Sequence, residues 1–334
     1  MGNPEGGIFI FIYIIVLAIG FIALVKGADI FVDGSSALAR IFKVSSLIIG
    51  LTIVALGTSA PELAVSTLAS IQGSNEIALS NVIGSNTFNL IAVLGVCAII
   101  HPLPVNDRLL KRDFPVSIAG AFLLLLFALV PALLGGNLAI SSVDQNVGQL
   151  TRWTGLVLIV LFASYIFYLI KISRNKPDES NDNEQLIPAW KCILQIIIGL
   201  ALVIGGGQAV VYSAKKIAFE MGMSETLIGL TVVAIGTSLP ELVTSIVASR
   251  KGETDMAVGN VIGSNIFNIF FILGVASLLR PIGVNMASVY DIAILIIVSI
   301  ITLIFSFTAK TINRKEGAFL LLMYVSSVIF AVLR

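Results

Sequence analysis

The chain alternates long apolar runs with short polar interruptions, and the length of those runs sets the first reading. A bilayer-spanning helix needs about 20 mostly apolar residues. Ten stretches qualify: 8–26, 44–70, 77–100, 114–135, 153–172, 190–213, 225–249, 255–279, 288–309 and 316–333. Four of them, 44–70, 77–100, 225–249 and 255–279, are interrupted by Gly, Ser, Thr, Asn and Pro, while the others are plainer Leu/Ile/Val/Phe helices. The one clear linker is 173–186 (SRNKPDESNDNEQL), which is charged, contains Pro and is short of apolar residues. Five spans precede it and five follow. An odd count per half makes the second half enter the membrane from the opposite side, an arrangement that transporters commonly use. The expected fold is therefore an all-α polytopic membrane protein, with ten transmembrane helices arranged as two inverted-topology repeats of five. Its parts are a first repeat over 1–172, a cytoplasmic linker over 173–189 and a second repeat over 190–334.

Composition agrees. The 334 residues are 57% hydrophobic and only 12% charged, against about 25% charged in a soluble domain; mean hydropathy is +1.03. A net charge of +1 gives no reason to expect nucleic acid. Cys97 and Cys192 lie in apolar runs and read as unpaired, buried residues. The single histidine, His101, makes a transition-metal site improbable. The first residues, MGNPEGG, carry neither a basic leader region nor Ser or Thr at position 6, so neither a cleavable signal nor myristoylation is expected. Counting Lys and Arg by loop puts fifteen on one side and five on the other. That bias predicts a multi-pass protein of the plasma or inner membrane, with both termini outside and the linker in the cytoplasm.

The interrupted stretches occur in pairs. Residues 49–63 read IGLTIVALGTSAPEL and 228–242 read IGLTVVAIGTSLPEL, identical at 12 of 15 positions. Residues 81–89 (NVIGSNTFN) and 260–268 (NVIGSNIFN) form a second pair at the same offset of 179. Each first motif carries an ionisable residue, Glu62 or Glu241, inside an apolar stretch, where it is costly to bury and marks a functional site. Pro61 and Pro240 lack an N–H and crowd the carbonyl four residues earlier, so they kink their helices and loosen the backbone before them. Thr58, Ser59 and Glu62 share one helix face by spacing, and Thr237, Ser238 and Glu241 repeat the arrangement. Asn81, Ser85 and Asn89 form a polar stripe that Asn260, Ser264 and Asn268 mirror. Gly84 and Gly263 are expected to allow close approach of a neighbouring helix.

Brought together, these groups make an all-oxygen site with two carboxylates, suited to a hard cation such as Ca²⁺. The two charges neutralise one Ca²⁺ or two Na⁺. Leaving them bare inside the membrane is costly, which disfavours turnover with an empty site and favours obligatory exchange. Singly, a kink or a membrane Ser is more often packing than function; the recurrence of the same polar types at one offset decides for function. Ser66, Ser245, Thr52 and Thr231 are even between packing and pathway lining.

The two GTS-x-PE motifs, each followed by an N-V-I-G-S-N-x-F-N segment, resemble the alpha repeats of the calcium/cation antiporter superfamily, most nearly its prokaryotic sodium/calcium exchangers. The resemblance covers essentially the whole chain. It implies sodium-driven calcium extrusion by alternating access, with Glu62, Glu241, Thr58 and Thr237 as calcium ligands. It also implies sodium sites at Ser59, Ser238, Ser85 and Ser264, with the backbone carbonyls of Ala55 and Ala234. The first two helices, near 8–40, would slide across the core, with GADIFVDG at 27–34 as the hinge. Many relatives carry aspartate where this chain has Asn268, matching Asn89; this argues against potassium co-transport and puts one charge fewer at the site. The expected partners are Ca²⁺, Na⁺ and the lipid bilayer, with no cofactor and no obligate protein partner.

The runner-up is proton/calcium antiport through the same glutamates. Its relatives carry an acidic residue where Val82 and Val261 stand here. No HExxH, GxSxG or Walker pattern supports an enzyme. Broken repeats favour alternating access over an open channel.

Overall fold

The structure is a computed structural model that describes residues 4–134, 146–175, 187–221 and 234–333. Helix α1 (Pro4–Phe42) leads into a bent segment of α2 (Ser46–Ile49), a π-turn (Gly50–Val54), α3 (Ala55–Thr58) and α4 (Ala60–Gln72). Next, α5 (Asn75–Phe88) passes through a π-turn (Asn89–Val93) into α6 (Leu94–Ile100). A third π-turn (Leu109–Asp113) opens α7 (Phe114–Leu134), which is followed by α8 (Arg152–Asn175). The second half holds α9 (Ala189–Glu220), α10 (Ala234–Gly236), α11 (Leu239–Arg250), α12 (Thr254–Ile266), a π-turn (Phe267–Ile272) and α13 (Leu273–Leu279). Helices α14 (Met286–Thr308) and α15 (Arg314–Leu333) complete it.

Seven described helices are long and apolar enough to cross a membrane, or eight if Ser46–Thr58 and Ala60–Gln72, bent by 48°, make one span. Of the ten expected spans, 225–249 falls partly on 222–233, outside the described residues, and 316–333 forms most of α15. The stretch near 8–40 is one helix rather than two. Lys26, Asp29 and Asp33 end the apolar run without ending α1, because Asp29 and Asp33 are exposed and stay solvated. Helix α8 likewise continues to Asn175, into the expected linker, most of which (176–186) lies outside the described residues. Two short antiparallel ribbons, β1 (Leu103–Pro104) with β4 (Thr311–Ile312) and β2 (Asn146–Leu150) with β3 (Ile282–Asn285), join loops. Runs so short carry no periodicity by which sequence could reveal them.

Apolar helices lie outside and polar-interrupted helices inside. Phe11 on α1, Phe167 on α8 and Ile197 on α9 are exposed, as lipid-facing residues are. Only 17% of the most apolar window of α1 is buried, against 72% for Glu76–Ile100 and 83% for Thr254–Leu279. Without a hydrophobic drive between helices, contact in lipid rests on close packing of small residues. Helices α1 and α9 meet in this way through Gly20, Gly27, Gly199 and Gly206; a Cβ on Gly27 would lie 2.6 Å from that of Leu202.

Candidate cation site

Pro61 and Pro240 sit in the first turns of α4 and α11, where a missing N–H is tolerated. The helices break just before them at Ser59 (φ −82°, ψ 10°) and Ser238 (φ −94°, ψ 8°). At the far ends, Gly73 and Gly252 both adopt φ +83°, and the N–H groups of Ser74 and Glu253 return to the carbonyls of Ala69 and Ala248 at 2.9 Å each. Each motif is thus a short helix with a fixed beginning and end.

The breaks bring the two halves together crosswise. Ser59 Oγ donates to Glu241 Oε1 at 2.8 Å, and Ser238 Oγ donates to Glu62 Oε1 at 3.1 Å. Ser85 Oγ reaches Glu62 Oε1 at 3.5 Å, and Thr58 Oγ1 donates to Asn260 Oδ1 at 3.1 Å. Glu62, Glu241, Thr58, Ser59, Ser238, Asn89, Ser264 and Asn268 are fully buried, and Ser85 nearly so. Asn81 and Asn260 brace the motif helices from behind, donating to Ser66 and Ser245 Oγ at 3.0 Å each, which gives those two serines a packing role. Thr52 Oγ1 is taken up by the Ile48 carbonyl, and Thr231 lies outside the described residues.

Six site oxygens lack a hydrogen-bond partner of good geometry among the described residues, namely Glu62 Oε2, Glu241 Oε2, Thr237 Oγ1, Ser264 Oγ, Asn89 Oδ1 and Asn268 Oδ1, with Thr237 and Ser264 lying beside Glu62 and Glu241, respectively. Buried polar atoms are almost always paired. Two carboxylates without a cationic partner among the described residues are costlier still. Oxygen is the donor type that hard cations take. Among the described residues no three His, Cys, Asp or Glu come together, and the oxygens beside the two carboxylates are hydroxyls and amides.

The Ala55 carbonyl accepts from Ser59 N at 3.1 Å, while the carbonyl that Pro61 leaves without its helical donor is that of Gly57. In the second half, Ser238 N donates to the Ile235 carbonyl at 3.2 Å. Gly263 does admit a neighbour, since a Cβ there would lie 2.7 Å from Leu51 Cα, but Gly84 has nothing within 4 Å. The sequence reading also passes over Asn86 and Asn265, whose side chains bond across the halves. They lie off the four-residue stripe; their presence in both copies of the motif is the signal that would have found them. Cys97 and Cys192 are buried and free, and His101 is exposed.

A buried oxygen cluster between broken helices, inside an apolar helical body, defines a membrane ion transporter rather than an enzyme. Comparison with known proteins specifies which kind. A model described as "Sodium/calcium exchanger protein" matches residues 12–171 and 191–333, and the chain belongs to that family. It is 36% identical to the sodium/calcium exchanger MaX1 of Methanosarcina acetivorans, over 93% of this chain and 96% of that one. It is also 36% identical to the inner membrane protein YrbG of Escherichia coli K12, over 85% and 86%. Among solved structures it is similar to the sodium-calcium exchanger NCX_Mj soaked with Na⁺ and Sr²⁺, with a TM-score of 0.78, 33% identity, and coverage of 96% of this chain and 99% of that one.

Proposed function

We propose that the chain exchanges Na⁺ for Ca²⁺ at the Glu62–Glu241 cluster by alternating access, with sodium running down its gradient to drive calcium out. The observation that carries this reading is the crosswise pair of carboxylates, each with one oxygen bonded by the other half's serine and one left unpartnered. The ligand set is the twelve residues Glu62, Glu241, Thr58, Thr237, Ser59, Ser238, Ser85, Ser264, Asn89, Asn268, Ala55 and Ala234, the last two through their carbonyls. With three Na⁺ bound, the two-carboxylate site holds net +1, which makes the exchange electrogenic, and Asn268 in place of a carboxylate makes it independent of potassium.

The frame for this exchange is ten helices in two inverted repeats, 1–172 and 190–334, joined by a cytoplasmic linker over 173–189. The matched bonds within each half, Asn81 to Ser66 and Asn260 to Ser245, and the reciprocal bonds of Asn86 and Asn265 across the halves support that frame. With both termini outside the cell or inner membrane, the site opens alternately to each side. The names of MaX1, YrbG and NCX_Mj support the ions and the membrane.

The test is ⁴⁵Ca²⁺ uptake into proteoliposomes loaded with sodium and diluted into sodium-free buffer, compared with a matched pH gradient. Uptake driven by sodium is expected. Uptake driven by the pH gradient alone would replace the reading with proton/calcium antiport, in which the same buried carboxylates carry protons.

A further inference from the structure

Asn86 and Asn265 are absent from the ligand set above, yet they meet where α5 and α12 cross and bond to each other's backbone. Asn86 Nδ2 donates to the Asn265 carbonyl, and Asn265 Nδ2 donates to the Asn86 carbonyl, at 3.2 Å each. A backbone carbonyl only accepts, so each side chain must present its nitrogen there. Their oxygens are thereby turned to the next asparagines. Asn268 Nδ2 donates to Asn86 Oδ1 at 3.0 Å, and Asn89 Nδ2 donates to Asn265 Oδ1 at 3.2 Å. Asn89 and Asn268, their amide nitrogens committed, are left with Oδ1 as the free end, buried and without a donor among the described residues. Each lies one turn beyond a motif serine, Ser85 or Ser264, and the first of these reaches Glu62. Were Asn268 flipped, its oxygen would face Asn86 Oδ1, acceptor against acceptor, in a fully buried place.

The geometry points to Asn86 and Asn265 as positioning residues that fix Asn268 and Asn89, respectively, with an oxygen rather than an NH₂ group offered to the transported cation. This rests on the exchange reading of the cluster. The relay runs between halves: Asn86 of the first orients a ligand of the second, and Asn265 does the converse. The polarity of two backbone carbonyls thus orients four side-chain amides, and through them decides whether Asn89 and Asn268 attract or repel a cation.

The test is a pair of double-mutant cycles on the purified full-length chain, reading Ca²⁺ affinity by calorimetry per folded protein. Asn86→Ala is expected to weaken Ca²⁺ binding by about 10- to 100-fold, as removal of groups that orient metal ligands does. With Asn268→Ser in place, the same change is expected to cost no more than about twofold, because a hydroxyl has no wrong end to present. With Asn89→Ser in place, the full loss is expected to remain, since Asn89 is oriented by Asn265. The mirror cycle, Asn265→Ala with Asn89→Ser, should behave alike. Equal losses from Asn86→Ala in the unmodified and Asn268→Ser backgrounds would overturn the positioning role, as would binding unmoved by Asn86→Ala. If the unmodified chain bound neither Ca²⁺ nor Na⁺, it would be the exchange reading that fails.

Discussion

In the first half, Ser59 reaches across to Glu241 at 2.8 Å; in the second, Ser238 reaches back to Glu62 at 3.1 Å. Asn81 and Asn260 hold Ser66 and Ser245 at the same 3.0 Å, and Gly73 and Gly252 close their helices at the same φ of +83°. Away from the centre the correspondence lapses. Lys251 bridges Asp29 and Asp33 of α1 at 2.6 and 2.5 Å, whereas the residues at the matching positions are Gln72, Gln208 and Tyr212. Likewise the buried Arg112–Asp113 pair, bonded by Tyr165, has Asp291 and Ile292 at the positions matching 112 and 113. Alternating access gives a reason. If the two halves exchange conformations to expose one site on either side, the groups that hold the ion must be mirrored. Groups that only fasten the periphery need not be.

Changes at the centre should therefore cost the same in either half. Glu62→Gln and Glu241→Gln keep shape and remove charge, and each is expected to bring sodium-driven ⁴⁵Ca²⁺ uptake down to that of empty vesicles. A variant retaining half the uptake would break the symmetry at its core. Next in size, Ser59→Ala and Ser238→Ala each delete a hydrogen bond to a carboxylate, worth about 1.5–3 kcal/mol. Half-saturating Ca²⁺ should rise by about ten- to a hundredfold, similarly for both. Gly27→Val and Gly206→Val wedge α1 from α9, and overpacking typically costs about 1–3 kcal/mol; matched drops in thermal midpoint are expected by differential scanning fluorimetry. The smallest effect sharpens the contrast. Lys251→Gln removes an exposed bridge worth about 0–1 kcal/mol, so uptake should change by less than about fivefold, and less again in high salt. Gln72→Ala, at the matching position, should change nothing.

How far the sequence could be read follows from the same division. Glu62 and Glu241 stand out because a charged residue in an apolar run has few structural explanations, and the shared offset ties each to its hydroxyl neighbours. The lipid-facing helices are legible because their apolar residues cover every face over a length that spans a bilayer. Where charges interrupt an apolar run, hydropathy misleads: α1 continues past Lys26 to Phe42, with Phe31, Val32 and Ala39 buried against its neighbours. Asn86 and Asn265 escape notice because spacing along one helix says nothing about what crosses it from the other half. Gly84 fails for the opposite reason, since a motif glycine promises close approach only where a neighbour happens to lie.

The central claim is that two halves build one site rather than two. Its most direct measurement is calorimetric Ca²⁺ binding to the purified chain, unmodified and with Glu62→Gln or Glu241→Gln, at several Na⁺ concentrations. A shared site requires one Ca²⁺ per unmodified chain, displaced by Na⁺, and no measurable binding in either variant. Binding that survives in a single variant through the remaining glutamate would contradict it.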